Sequence, residues 1–280
     1  MKFAYQVNAW GGVVGTPGAV TDISNGFYLT PGGPAPAIAA IAAAGFSGIE
    51  IFDGNLLSLG EGKDDFRRLL DEHSVELAGV YSGGHFIYRD AHEDELARFD
   101  RSIAVAAEFG ARHFVLGGGA IRSTGRQDQD YVVMAELLDQ VADRARSAGL
   151  VPSYHPHLGS LAEAPEQIDA LLAASSIGLC ADVAHLAAGG GDPVQIIDTY
   201  ADRLDYVHLK DYDPQTGSFM PLGEGVVDMD AVVQAVVRTG YSDWVGVELD
   251  GYAGDAADAA RRSFAYLDDG PLADSSTLPR

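Results

Sequence analysis

Lysine is nearly missing from this 280-residue chain: there are three, and Lys and Arg together number 18 against 41 Asp and Glu, a formal net charge of −23. Binding a phosphate backbone needs clustered Lys and Arg, so this balance argues against a nucleic-acid partner. Its plain consequence is a solvated acidic surface. Cysteine is limited to Cys180, which rules out an internal disulfide; set in an apolar run, it reads as a buried thiol. No stretch approaches the roughly 18 uninterrupted apolar residues of a membrane span. The N-terminal MKFAYQ enters a strand with no signal-peptide apolar region, so a cytoplasmic protein with no membrane partner is expected. Also lacking are a Gly-x-Gly-x-x-Gly turn after the first strand, a phosphate-binding P-loop and a Gly-x-Ser-x-Gly elbow.

What is present is a regular alternation. Apolar residues make up 47% of the chain, ample for a core. Strand-like runs cover residues 3–9, 46–52, 75–81 and 113–116, then 150–157, 177–183, 204–210 and 244–249. Helix-like segments follow them at 36–44, 63–73, 93–109, 128–148, 164–174, 193–203, 229–239 and 256–266, several closed by glycine. Eight strand–helix units predict a single α/β domain, a (β/α)8 TIM barrel spanning 1–268, with a polar tail at 269–280. A doubly wound sheet is the competing architecture. The Gly/Pro-rich segment 11–36 is long for a strand-to-helix connection and is expected to cover the barrel mouth as a lid or a docking surface.

Each of the last four strands carries an ionisable residue near its C-terminal end: His155, Asp182, His208 and Glu248. In a closed parallel barrel all strand C-termini open on one face, so residues remote in sequence converge there. Two imidazoles and two carboxylates suit one divalent ion such as Zn²⁺, Mn²⁺, Co²⁺ or Fe²⁺ better than Mg²⁺ or Ca²⁺, which prefer oxygen shells. Taken singly, each histidine reads better as a satisfied core or surface residue; the matching positions carry the metal reading. Carboxylates after strongly apolar runs seldom lie buried without a cation or partner.

Other residues fall around this set. His157, two residues past His155, projects to the same side. His185 follows Asp182 by three, where it could contact substrate. Lys210 shares the face of His208; a lysine lining a barrel suggests contact with an anionic intermediate, and an exposed Lys210–Asp211 pair is the plain alternative. Glu224, in Gly223-Glu224-Gly225, lies on a flexible loop, and Asp228 fits a helix N-cap. Glu50 and Asp53 end the second strand, where one of them could bind hydroxyls. Trp10, Tyr81 and His85 offer walls for a sugar ring, or simple packing. Gly117-Gly118-Gly119 with Arg122 could cradle a phosphate, on weak grounds.

These strand ends, in this order, resemble the xylose-isomerase-like barrel superfamily over nearly the whole chain. The resemblance implies a metal set of Glu, Asp, His and Glu from the fifth to eighth strands, which maps here onto His155, Asp182, His208 and Glu248. Asp182-Val183-Ala184-His185 matches the family's Asp-x-x-His, and His155 departs from its glutamate. Tyr154-His155-Pro156-His157-Leu158-Gly159-Ser160 and His208-Leu209-Lys210-Asp211 are similar to stretches of inosose dehydratases. Subunits that cleave 3-oxo-glycosides share the barrel and are compatible.

The resemblance implies a lyase acting on a keto-cyclitol or keto-sugar, dependent on one divalent metal ion (Mn, Co or Zn, with Mg less suited). It would act by removing a proton α to the ketone and expelling a β-oxygen. His157, Lys210 and Glu248 are the candidates for proton transfer, and His185, Glu224, Glu50, Tyr81 and Trp10 for substrate contact. A sugar isomerase or epimerase is the alternative, and a non-catalytic carbohydrate-binding barrel a third. The partners left open are a homo-oligomer or a second subunit.

Overall fold

The structure, a computed structural model, describes residues 1–11, the backbone of 20–22, and residues 26–270. Eight parallel strands close on themselves: β1 (Lys2–Gln6), β2 (Gly48–Phe52), β3 (Glu76–Gly84), β4 (His113–Gly118), β5 (Val151–His155), β6 (Gly178–Asp182), β7 (Leu204–Leu209) and β8 (Trp244–Val247). They pair in sequence order around the ring, β1 also bonding to β8. Between them run α1 (Ala35–Ala44), α2 (Lys63–His73), α3 (His92–Glu108), α4 (Asp128–Ser147), α5 (Pro165–Ala174), α6 (Pro193–Thr199) and α7 (Met229–Arg238), with α8 (Ala256–Asp269) last. The expected (β/α)8 barrel is therefore the observed one. Of the polar tail, residues 271–280 lie outside the described residues, and Asp269 ends α8.

Period-two alternation sorts every strand between two cores. Tyr5, Ile49, Ile51, Phe114 and Val245 face the helices and belong to the large apolar layer between strands and helices. Ala4, Ala78, Val115, Cys180, Tyr206 and Trp244 form a second, smaller cluster inside the barrel. Continuing the inward parity toward the C-terminal ends replaces apolar residues with polar ones: Ala4 is followed by Gln6, and Tyr206 by His208. Register then brings these together, with Gln6 opposite Glu50 and Asp182 opposite His208.

Three elements depart from the sequence-based expectation, the first two at the barrel mouth. β1 stops at Gln6 and residues 7–10 coil into a 3-10 turn, which turns Asn8 inward over the barrel. Short helices Asp53–Leu57 and Val183–Ala188 follow β2 and β6 directly. α6 ends at Thr199, and residues 201–203 form a separate 3-10 turn. Two antiparallel ribbons also stand on the rim, Val20–Asp22 with Phe27–Leu29 and Asp211–Asp213 with Ser218–Met220.

Of the segment 11–36 expected to cover the mouth, residues 12–19 and 23–25 lie outside the described residues. Its described part is at the C-terminal end of the barrel: Tyr28 packs edge-on to Tyr81 with ring centroids 5.6 Å apart. Asn55 pins it by exchanging two hydrogen bonds of 2.9 Å with the backbone of Thr30.

Candidate metal centre and active site

Asp182 ends β6 and caps the helix that follows: its Oδ1 accepts hydrogen bonds from the backbone N–H groups of Ala184 and His185 at 3.1 and 2.9 Å. That leaves Oδ2 turned to the barrel axis, 3.3 Å from His155 Nε2 and 3.8 Å from His208 Nδ1. Glu248, just past β8, presents Oε2 at 3.5 Å from His155 Nε2 and 3.2 Å from His208 Nδ1. One ligand atom from each of these four residues lies within 4.8 Å of every other, and all four side chains are buried. The room for His208 is made by Gly246 on the neighbouring strand, where a Cβ would sit 3.1 Å from the His208 ring.

The donors fit a divalent cation, and His208 shows why. Its Nε2 lies 2.9 Å from Glu50 Oε2, whose other oxygen accepts from Gln6 Nε2 at 2.8 Å. Glu50 accepts the Nε2 proton, so in the neutral ring the lone pair is on Nδ1. That atom is buried with no hydrogen-bond partner and faces two carboxylate oxygens. A lone pair aimed at carboxylates is repulsive unless a positive charge sits between them.

A proton can take that place. Burial opposes charging His208, but Glu50 and Glu248 outweigh it and hold its pKa well above the ordinary histidine value. His155 is raised in the same way, burial being offset by Asp182 and Glu248. Burial likewise opposes ionisation of Asp182 and Glu248, but Lys210 and the neighbouring imidazoles hold both carboxyls well below their usual range.

Lys210 is fully buried beside this set, its Nζ 3.0 Å from Asp182 Oδ2 and 3.1 Å from Glu248 Oε2. It also reaches Asp250 Oδ1 at 3.1 Å and His185 Nε2 at 3.0 Å. His185, Asp250 and His157 form a second group of ligand-type atoms within 4.8 Å of one another. Burial, then the charges of His157 and Lys210, push His185 down to about 3, so its ring stays neutral. Glu248 is bound on both sides, Oε1 accepting from Asn8 Nδ2 at 2.9 Å. Asp250 and Asn8 escape a reading of strand ends: Asp250 lies past the end of β8, and Asn8 is turned inward by the 3-10 turn that follows β1.

A cavity of about 480 Å³ opens beside the cluster, walled by Tyr28, Tyr81, His85, Arg98 and His157. Tyr81 therefore lies where expected, its ring 5.6 Å from that of His155. His157 is the cluster member that reaches the cavity; its Nδ1 donates to the Leu158 carbonyl at 2.7 Å, leaving Nε2 free, 3.7 Å from Asp250 Oδ2. Arg98, unremarked in the sequence, is held at the wall by Asp53, 3.6 Å away, and by a hydrogen bond to the Gly83 carbonyl. Asp53 thus anchors an arginine and binds Ser82 and Ser102 rather than contacting the cavity.

Several expected contacts are not brought to the cavity. Glu50 is fully buried beneath the cluster as the partner of His208 and Gln6 and does not line the cavity. Trp10 packs edge-on to Tyr5, 5.9 Å between rings, outside the cavity wall. Glu224 pairs with Arg262 of α8. Its loop is tied down by Asp211, which is buried, not exposed, and accepts from the backbone of Gly223, Gly225 and Val227. Of the glycines at 117–119, Gly118 and Gly119 line the cavity, whereas a Cβ at Gly117 would fall 1.8 Å from the Tyr81 hydroxyl, and Arg122 pairs with Asp130 at 2.8 Å. His185 is buried against Lys210 and Asp250 and does not line the cavity. Asp228 caps α7, accepting from Ala231 N at 3.0 Å.

Comparison with known proteins agrees with this geometry. The rhizopine catabolism protein MocC of Rhizobium meliloti is 27% identical over 217 residues, which cover 66% of this chain and 66% of that protein. An inosose dehydratase of Geobacillus kaustophilus is likewise 27% identical over 217 residues, 66% of this chain and 70% of that one. The chain thus spans about two thirds of the length of these curated relatives. Among solved structures, the IolI protein with a bound zinc atom superposes with a TM-score of 0.73 at 16% identity, covering 96% of this chain and 97% of that one. The model of the xylose isomerase-like TIM barrel family matches residues 38–270, and the chain belongs to that family.

Proposed function

We propose that this protein is a metal-dependent carbon–oxygen lyase that dehydrates, or otherwise eliminates a β-oxygen from, a keto-cyclitol or keto-sugar. The relatives named for inosose dehydration and rhizopine catabolism support the substrate class, and the zinc-bound neighbour supports the cofactor. His155, Asp182, His208 and Glu248 would hold the ion. Zn²⁺, Mn²⁺ or Co²⁺ fits two imidazoles and two carboxylates better than Mg²⁺. A divalent ion bound there supplies Lewis acidity toward a ketone oxygen.

The observation that carries the elimination reading is His157. Its Nδ1 is committed to the Leu158 carbonyl, so the ring nitrogen this cavity-lining residue has left for proton transfer is Nε2, 3.7 Å from Asp250 Oδ2. That atom can take a proton from the carbon next to the ketone and return it to a departing oxygen, a general acid–base role. Glu248 is poorly suited to the same task because both its oxygens already accept hydrogen bonds and its charge is stabilised. Lys210 is screened from the cavity and contributes a fixed positive charge; the Tyr28 and Tyr81 rings, with Arg98, orient the ring of the substrate.

The test is a screen of inososes, 3-oxo-glucosides and free ketoses on metal-supplemented protein, with ultraviolet detection of enone or dione products. His157→Ala is expected to cost about 10²–10⁴ in rate, the usual worth of a general acid–base group. It should slow leaving-group loss at least as much as exchange of the α-proton with solvent deuterium. Clean aldose–ketose or epimer interconversion, with no unsaturated product from any substrate, moves the protein to the isomerase class.

A further inference from the structure

Lys210 Nζ has four ligand-type atoms at nearly one distance: Asp182 Oδ2, Glu248 Oε2, Asp250 Oδ1 and His185 Nε2, all at 3.0–3.1 Å. An ammonium has three hydrogens, so four such neighbours exceed its donors and resemble the shell of a cation. Two of the four belong to the His155–Asp182–His208–Glu248 set, and two to the His157–His185–Asp250 set. The nitrogen therefore lies at the junction of two groups of metal-ligating residues. The Phe219 ring closes a further side, 4.3 Å from Nζ. Sites with two divalent ions hold them about 3.5–4 Å apart, joined by carboxylates that serve both; here the shared oxygens of Asp182 and Glu248 meet one tethered cation instead.

We propose that the Lys210 ammonium is the second cation of a two-cation centre. The chain then takes one divalent ion, on His155, Asp182, His208 and Glu248, and its own lysine closes the His157–His185–Asp250 set to metal. Charge supports this. Four buried carboxylates line the two sets, Glu50, Asp182, Glu248 and Asp250. One divalent ion plus the ammonium brings three positive charges against them. A second divalent ion beside the ammonium would leave an excess of positive charge in a water-poor interior, where unpaired charge is costly. Without the lysine, two divalent ions would match the four carboxylates. The inference deepens the proposed metal site and rests on it.

Manganese uptake tests both. The full chain is dialysed against Mn²⁺, the metal counted by elemental analysis, and its electron paramagnetic resonance recorded. Wild type is expected to hold one Mn²⁺ per chain with an uncoupled spectrum. Lys210→Met should hold two with a spin-coupled spectrum, and adding Asp250→Asn should return the count to one. Two ions in wild type, or one in a folded Lys210→Met, overturns the inference while leaving the four-residue site standing. No tightly bound ion in wild type overturns the site itself and the inference with it.

A second measurement needs no variant. The chain has only Lys2, Lys63 and Lys210, so ¹⁵N-lysine spectra of the Zn²⁺-loaded protein resolve three signals at most. The Lys210 ammonium should appear as a protected NH₃⁺ in the loaded state. A Lys210 signal that exchanges with water as fast as exposed Lys2 contradicts its place as a buried cation.

Discussion

At the scale of single residues, Glu50 shows how a side chain can be placed by sequence and still be misread. It reads from sequence as a hydroxyl-binding acid near the end of an apolar strand, yet it sits within β2 and fixes the tautomer and orientation of His208 through a 2.9 Å hydrogen bond. The signal was weak because the partner is 158 positions away and meets Glu50 only across the closed barrel. The four candidate metal ligands are legible for the opposite reason: a strand-end position needs no partner to be recognised. Outer partners of this kind are worth about 10–100-fold in metal affinity. Glu50→Gln keeps the shape but removes the charge that holds the proton on His208 Nε2 and leaves the Nδ1 lone pair for the ion. It is expected to weaken Zn²⁺ or Mn²⁺ binding by about that factor, measured by competition with a chromophoric chelator. An unchanged affinity would show that His208 is oriented by packing alone.

At the scale of elements, alternation in the strands was readable because each buries one face against the helices and the other inside the barrel. What alternation could not supply was where a strand stops. His157 and Lys210 were placed on strands, but β5 ends at His155 and β7 at Leu209, and both residues project from the turns beyond. The short Asp53–Leu57 and Val183–Ala188 helices escaped notice because they are too brief to show a helical repeat.

At Gly117 the role of glycine is to be absent space. Gly117 on β4 lies against the Tyr81 hydroxyl of β3, 1.8 Å from where a Cβ would stand. Gly117→Ala must therefore displace Tyr81 from the cavity wall, an overpacking cost of about 1–3 kcal/mol. It is expected to lower the thermal midpoint, and Tyr81→Phe in the same chain should recover only part of the loss, because the ring carbon Cζ also stands 2.5 Å from that Cβ. A double variant no more stable than Gly117→Ala would place the strain elsewhere.

At the scale of the whole molecule, the barrel and its single domain follow from eight regular strand–helix units, and no helix among the described residues is long and apolar enough to cross a membrane. The acidic balance has a consequence for stability. Exposed ion pairs such as Lys2–Glu76 and Arg238–Asp198 are present, but such pairs each contribute little. With 41 acidic and 18 basic side chains, most surface carboxylates find no cation and repel one another, which destabilises the compact state. Screening should relieve more repulsion than attraction, because the Debye length falls from about 30 Å at 0.01 M salt to about 3 Å at 1 M. The thermal midpoint at pH 7 is therefore expected to rise with NaCl over this range and to level off once neighbouring carboxylates are screened. Chloride is the suitable anion, since sulfate strengthens apolar burial by exclusion and would raise stability for a different reason. The His155–Asp182–His208–Glu248 cluster responds differently because its charges are buried and screened much less. Wild type and Asp182→Ala should therefore gain equally from NaCl, even where their midpoints differ. A midpoint that falls as NaCl is added would mean that the surface ion pairs outweigh the net repulsion.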